Sequence, residues 1–266
     1  MYYYSNINFM GKITNSLGII PARFASTRFP GKPLVDIQGK TMVQRVFEQA
    51  CKSALSLVVV ATDDRRIYDH VVAFGGNVVM TSDQHPTGTD RCAEVAAIPE
   101  FADCQWVVNV QGDEPFIQPG QIDLALNFLT KNANCPIVTL AKKIDHKSNM
   151  NLADPNMVKV VFDKDQRAIY FSRWPLPFHR NLPQEQWLAE GEFYKHIGLY
   201  AFRREVLLEV AALPPSRLEL AESLEQLRWL ENGYAIGVAL TEFESISIDS
   251  PADLELAVRQ LAVGSH

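Results

Sequence analysis

Leu17-Gly18-Ile19-Ile20-Pro21 is an apolar run of strand length, and it opens into Ala22-Arg23-Phe24-Ala25-Ser26-Thr27-Arg28-Phe29-Pro30-Gly31-Lys32-Pro33-Leu34 before an amphipathic stretch from about Met42 to Ala54. Strand, long polar loop and helix in that order make a β-loop-α unit. The unit recurs. Leu57-Val58-Val59-Val60-Ala61 precedes a helix from about Asp64 to Phe74, Asn77-Val78-Val79-Met80 precedes a helix from about Asp90 to Ile98, and Trp106-Val107-Val108-Asn109-Val110 follows. Strands this continuously apolar are buried on both faces, so the pattern predicts an α/β fold, a mostly parallel sheet covered by helices on both faces. Ligands of such sheets gather at the carboxyl ends of the strands.

After about residue 141 the rhythm changes. Val158-Lys159-Val160-Val161-Phe162 and Ala168-Ile169-Tyr170-Phe171 flank Asp163-Lys164-Asp165-Gln166, which reads as an antiparallel hairpin. A polar loop from Pro175 to about Gly191 leads to Ile197-Gly198-Leu199-Tyr200-Ala201, to helices near Glu205–Ala211 and Leu220–Glu231, and to a strand at Ala235–Ala239. Ser250 caps a last helix with Pro251 at its first position. The expected organisation is an extension over residues 1–16 and one domain over 17–262. Within that domain lie a nucleotide-binding part (17–140), an inserted antiparallel β lobe (141–200) and a C-terminal part completing sheet and site (201–262).

The 266 residues are 47% apolar, with 25 Lys and Arg against 31 Asp and Glu, a formal charge of −6. That is a globular composition with ample chain for a core, which excludes a disulfide-stapled miniprotein and a disordered chain. The acidic balance argues against a nucleic-acid or anionic-membrane footprint, so an anion site has to be local. Cys51, Cys92, Cys104 and Cys135 form no C-x-x-C pair and read as buried free thiols. No run approaches the ~18 apolar residues of a membrane span, and residues 1–11 do not resemble a signal peptide, so the expected location is the cytoplasm.

Chemistry concentrates in a few segments. Arg23, Arg28 and Lys32, with Ser26 and Gly31, share the loop after the first strand. Long cations reaching from several sides and a close backbone approach suit a polyphosphate, although Lys32 is followed by Pro33 and the loop is not a Walker A motif. Asn109-Val110-Gln111-Gly112-Asp113-Glu114-Pro115 leaves a buried strand into two carboxylates, and Asp249 ends a second such segment. Asp113 and Asp249 are candidate ligands for a hard cation such as Mg²⁺, which shares itself with substrate phosphates, though an acidic turn and a helix cap would also account for them. His85-Pro86-Thr87-Gly88-Thr89-Asp90-Arg91 reads as a turn into a helix capped by Thr89 or Asp90. Arg173 and His196 border strands and suit an anionic, hydroxyl-rich ligand.

Taken in order, these blocks resemble the 3-deoxy-manno-octulosonate (Kdo) cytidylyltransferases, also called CMP-Kdo synthetases. The resemblance runs over about residues 17–262 through Ile19–Arg23, Gly31–Leu34, Val60–Asp63, His85–Arg91, Asn109–Pro115, Val158–Val161, Tyr170–Arg173, His196–Gly198, Leu224–Arg228 and Asp249–Leu254. It implies a nucleotide-diphospho-sugar transferase-like fold, a homodimer with the 141–200 lobe at its interface, and Mg²⁺-dependent transfer of CMP from CTP to Kdo for lipopolysaccharide synthesis. Carried over residue by residue, Arg23, Arg28 and Lys32 would hold the triphosphate, and Asp113 and Asp249 the metal. Ala22, Ser26, Thr62, Asp63, Thr87, Gly88, Thr89, Arg91 and Gln111 would surround nucleotide and sugar, while Arg173, His196, Tyr200, Glu225 and Gln226 would face Kdo, Arg173 as a carboxylate clamp. Thr87 stands where Ser is usual and Ser250 where Thr is usual, and each keeps its hydroxyl. The 8-amino analogue of Kdo or a sialic acid as acceptor, and a catalytically silent sugar-nucleotide-binding protein, are the alternatives.

Overall fold

The structure, a computed structural model, describes residues 12–25, 29–146, 150–244 and 247–263. In chain order, β1 (Ile13–Ala22) is followed by a small antiparallel pair, β2 (Asp36–Ile37) and β3 (Lys40–Thr41). Then come α1 (Met42–Cys51), β4 (Leu55–Thr62), α2 (Arg65–Ala73), β5 (Val78–Met80), α3 (Gly88–Ala97), β6 (Trp106–Asn109) and α4 (Pro119–Lys131). Next are β7 (Ile137–Lys143), β8 (Lys159–Phe162), β9 (Ala168–Ser172), α5 (Trp187–Glu190), β10 (Tyr194–Arg203), α6 (Arg204–Ala211), α7 (Arg217–Glu222), α8 (Gln226–Glu231) and β11 (Ile236–Leu240), with α9 (Pro251–Val263) last. The chain forms two compact units, one from residues up to Asp123 and from 245 onward, the other Leu124–Glu244.

In the first unit the strand order is β6-β1-β4-β5. All three pairings are parallel, with Gly18 opposite both Val58 and Val108 and Val60 opposite Val78. Leu17, Ile19, Ile20, Val60, Val107 and Val108 have no exposed surface, as continuous apolar strands require. The Thr41 hydroxyl caps α1, which buries Met42, Val46 and Ala50 at four-residue spacing, and the Asp64 carboxylate caps α2.

β1 begins at Ile13, inside the stretch that the sequence pattern leaves as an extension. Thr14-Asn15-Ser16 breaks the apolar run, and Asn15 adopts a left-handed φ of 61° at a bulge. The backbone N–H of Ile13 nevertheless donates to Ala54 O at 2.7 Å, and Lys12 Nζ reaches the Cys51 and Ser53 carbonyls. The rest of the expected extension, residues 1–11, lies outside the described residues. α3 also starts earlier than expected. Thr87, not Thr89 or Asp90, is its N-cap, and Asp90 closes a reciprocal capping box with it.

In the second unit β11 runs parallel to β7, and β10 antiparallel to both β7 and β8. β8 and β9 form the expected antiparallel hairpin, Val160 opposite Phe171. The β7–β10 register runs His196 opposite Ala141 and Ile197 opposite Leu140, then resumes with Tyr200 opposite Thr139, so Gly198 and Leu199 form a bulge. The helix expected over Leu220–Glu231 is two helices. Ser223 takes a left-handed φ of 51° and ends α7, and α8 starts again after Glu225. The compact units divide at Asp123, and β7, β10 and β11, which hydrogen-bond to one another, hold 201–244 with the residues of the expected lobe.

Candidate active site

A pocket of about 330 Å³ opens in the first unit among the segments that follow β1 and β6 and the start of α3. Of the residues singled out from sequence, Ala22, Arg23, Lys32, Thr87, Gly88, Arg91, Gln111, Asp113 and Asp249 line it. Two glycines keep it open. A Cβ on Gly112 would lie 2.6 Å from the Pro21 carbonyl oxygen, and one on Gly88 would lie 3.3 Å from the Pro21 ring. At Gly112 the backbone therefore packs closer than any side chain allows, while at Gly88 a side chain would fit only if the Pro21 ring gave way by a few tenths of an ångström.

The loop after β1 is closed by Gly31. At φ +73° it lies in the left-handed region, and its N–H donates to Phe24 O at 3.0 Å. That N–H is spent within the loop and is not a phosphate donor; the role of Gly31 is to turn the chain so that Lys32 enters the pocket. Phe24 is covered by the Arg66 guanidinium, 3.3 Å above its ring. Ser26 and Arg28 lie outside the described residues.

Lys32 Nζ donates to Asp113 Oδ2 at 2.8 Å and to Asp249 Oδ1 at 3.1 Å. The lysine side chain is 14% exposed and the carboxylates 25% and 42%, so the cluster is enclosed on the protein side and open on the other. Asp113 follows β6 in a turn, and its carbonyl accepts from the Ile248 N–H at 3.0 Å, which brings the segment before α9 alongside. Ile248 is fully buried with Ile37, Met42 and Ala257. The Asp249 and Ser250 N–H groups both donate to Asp253 Oδ2, so Asp249 is fixed by the cap of α9. Ser250's hydroxyl, the backbone N–H donors and the Lys32 charge hold the Asp253 carboxyl below its ordinary range, although burial opposes them.

Two carboxylates converging on one ammonium are a donor set for a hard cation. Among the described residues no group of three His, Cys, Asp or Glu could hold a metal. Asp113 and Asp249 supply two carboxylates, so a hard cation held there would have to take the rest of its oxygen shell from water and phosphates.

The other nucleotide-side candidates divide. Arg91 is 3% exposed and bonds Asp63 Oδ2 at 2.7 Å, Ser82 O at 3.2 Å and the Thr81 hydroxyl, so Arg91 and Asp63 brace the pocket wall. Thr62 and Thr89 are buried and do not line the pocket. His85, on the rim, hydrogen-bonds Glu94. Burial alone would raise the Glu94 carboxyl, but the bonds from His85 and the Ser82 N–H outweigh it and lower it.

In the second unit His196 and Tyr200 stand 5.5 Å apart between ring centroids, with Phe171 edge-on to His196 and Trp229 edge-on to Tyr200. Burial pushes the His196 imidazole down to about 3 and the Tyr200 phenol well above its usual range, the latter helped by the charge of Glu225. Gln226 is 5% exposed, and its Nε2 has no hydrogen-bond partner among the described residues. Arg173 is engaged differently from a free clamp. Nε donates to Glu222 O at 2.6 Å, Nη1 to Pro155 O at 2.7 Å and Nη2 to Ser223 O at 3.2 Å.

Sequence reasoning passed over three residues here. Glu222 accepts from the Ser172 hydroxyl and the Arg173 N–H. Lys159, fully buried, donates to the carbonyls of Asp154, Met157 and Arg173. Thr139, also fully buried, bonds His196. The available signal was polarity in an apolar setting: a lysine inside Val158–Phe162 and a threonine inside Ile137–Ala141.

A family model described as Cytidylyltransferase matches residues 17–243. A protein of Parabacteroides distasonis named 3-deoxy-manno-octulosonate cytidylyltransferase is 56% identical over 249 residues, 92% of this chain and 98% of the relative. One of the same name from Bacteroides thetaiotaomicron is 54% identical over 91% of this chain and 96% of the relative. Among solved structures, a CMP:2-keto-3-deoxy-manno-octonic acid synthetase complexed with CTP superposes with a TM-score of 0.85 at 40% identity, covering 94% of this chain and 99% of that one. A cytidylyltransferase from Leptospira borgpetersenii shares the fold at a TM-score of 0.59 and 15% identity, over 94% of this chain and 87% of that one.

Proposed function

Because the chain belongs to the 3-deoxy-manno-octulosonate cytidylyltransferase family, we propose that it transfers CMP from CTP to the anomeric 2-hydroxyl of Kdo, giving CMP-Kdo and pyrophosphate for lipopolysaccharide synthesis. The observation that carries this reading to the residues is the meeting of Asp113, Lys32 and Asp249 in the pocket of the parallel sheet. A catalytically silent sugar-nucleotide-binding protein would have no need for two carboxylates converging on one cation there.

In the reaction the sugar oxygen forms a bond to the α-phosphorus while the bond from that phosphorus to the bridging oxygen of pyrophosphate breaks, and the hydroxyl gives up its proton. Little covalent work falls to the protein, so positioning and charge carry the catalysis. Arg23, on the exposed rim, meets the triphosphate from outside, and the Lys32 ammonium offsets negative charge developing on the departing pyrophosphate. Asp113 and Asp249 would hold magnesium, which when bound lowers the pKa of the attacking hydroxyl and adds positive charge beside the phosphate oxygens. Gly112 lets the Pro21 backbone, and Gly88 the Pro21 ring, come close at the pocket wall. His196, Tyr200, Glu225 and Gln226 offer the hydrogen-bonding groups for the sugar acid.

The same family reading supports a homodimer with residues 141–200 at the interface, for which Ile169, Trp174 and Phe178, all at least 60% exposed, supply apolar surface. It also supports a cytoplasmic site of action; no helix among the described residues is long and apolar enough to cross a membrane.

The deciding experiment is pyrophosphate release by the purified protein with CTP, Mg²⁺ and Kdo, repeated with ATP, GTP and UTP and with 8-amino-Kdo and sialic acid. Turnover with CTP and Kdo well above every other combination is expected. A clear preference for another acid overturns the acceptor, and no release with any acid overturns the transferase reading.

A further inference from the structure

The Thr139 hydroxyl has more neighbours than protons. Its Oγ1 lies 3.1 Å from Ile197 O, 2.9 Å from Leu199 O and 2.9 Å from His196 Nε2. Both carbonyls are turned onto Thr139 by the bulge at Gly198 and Leu199. A carbonyl only accepts, and a threonine hydroxyl carries one proton. If that proton went to His196, two oxygen–oxygen contacts near 3 Å would be left with no hydrogen between them. The proton therefore belongs to the carbonyls, and Oγ1 accepts from the imidazole.

We infer that Thr139 holds His196 as its Nε2–H tautomer, so that Nδ1 is presented as a hydrogen-bond acceptor to a hydroxyl of the sugar acid. The ligand half of this inference rests on the reading of the second-unit cluster as the acceptor site. Two further observations agree. Nδ1 has no hydrogen-bond partner among the described residues, whereas the ring is otherwise enclosed by Phe171 and Tyr200, at centroid distances of 5.1 and 5.5 Å. Burial keeps the imidazole neutral, so Nδ1 retains its lone pair over the working pH range. A lone pair there welcomes an O–H and repels a carboxylate or carbonyl oxygen, so His196 meets the hydroxyl face of the acid and not its carboxylate. Thr139 acts through His196 and is a positioning residue.

The test is ¹⁵N NMR of histidine-labelled protein, with His196 assigned by its loss in His196→Gln. In the parent protein Nε2 should carry the proton and Nδ1 should be bare, and adding Kdo should shift Nδ1. Thr139→Val should give a mixture of tautomers and raise KM for Kdo about tenfold, the scale of one hydrogen bond, with KM for CTP unchanged. Thr139→Ser should restore both. A proton on Nδ1 in the parent protein, or an unaltered tautomer in Thr139→Val, overturns the assignment. An Nδ1 resonance that Kdo does not move, in enzyme that still turns Kdo over, overturns the ligand contact while leaving the family's reaction standing.

Discussion

Asp113 and Asp249, on separate segments of the chain, share the Lys32 ammonium at 2.8 and 3.1 Å. Replacing either carboxylate by alanine should abolish Mg²⁺-dependent pyrophosphate release while circular dichroism shows the fold intact; near-normal release from either variant would return both residues to structural roles. Lys32→Ala should slow turnover ~10²–10³-fold, the range for loss of one preorganised electrostatic contact. The same variant removes the cation that occupies the two carboxylates, so electron paramagnetic resonance should show Mn²⁺ bound to nucleotide-free Lys32→Ala at least as tightly as to the parent. Weaker binding by the variant would show that Lys32 helps build the cation site.

Gly112→Ala would place a methyl group 2.6 Å from the Pro21 carbonyl oxygen, and neither backbone segment can give way cheaply. At about 1–3 kcal/mol for overpacking of this kind, KM for CTP should rise roughly 5- to 150-fold with little change in KM for Kdo. Gly18→Ala is the contrasting case, since its nearest obstacle at 2.5 Å is the flexible end of Leu55. Initial-rate kinetics on the two variants would separate them, and equal effects would remove Pro21 from the nucleotide pocket.

Arg228 and Glu219 form a nearly buried pair, with side chains 6% and 12% exposed and two bonds at 2.7 and 2.6 Å. Arg228→Ala leaves the mostly buried Glu219 carboxylate with only the Ser216 N–H and should cost about 3 kcal/mol in urea unfolding. Burial alone would raise the Glu219 carboxyl, but the Arg228 and Ser216 bonds outweigh it and lower it. A lowered carboxyl stabilises the fold above its unfolded value and loses that contribution as pH falls through its folded value. The parent's margin over Arg228→Ala should therefore shrink below about pH 4, the ordinary carboxylate range.

His196 has the opposite charge logic. Folded, it stays neutral down to about 3, whereas the unfolded chain takes up a proton below about 6.5. The unfolded state then binds more protons, so stability rises with pH through that window and is lost on acidification. His196→Gln should show a smaller fall in Tm between pH 6.5 and 4.5 than the parent in scanning calorimetry. An identical fall would mean that the imidazole protonates in the folded protein.

Legibility in sequence followed the strength of local patterning. Leu57–Ala61 and Asp64–Phe74 announce β4 and α2 to within two residues because apolar runs and a capping aspartate agree there. Ile13–Ser16 hides because its polar residues belong to a bulged strand end whose pairing is long-range. Leu220–Glu231 keeps helical periodicity through Ser223, where only the backbone torsion reveals the break. The pocket was legible as residue types at strand ends. That Gly31 spends its N–H on Phe24, and that Arg173 spends its guanidinium on carbonyls, depends on partners distant in sequence or on loop closure.

The first unit is interrupted: Asp113 lies before Leu124–Glu244 and Asp249 after it. A ribosome releases these residues in that order, so a nascent chain owns Lys32 and Asp113 while the whole second unit is still being made. Only after the second unit has emerged can the second carboxylate be added, so the Lys32 cluster cannot be complete before Leu124–Glu244 has been made.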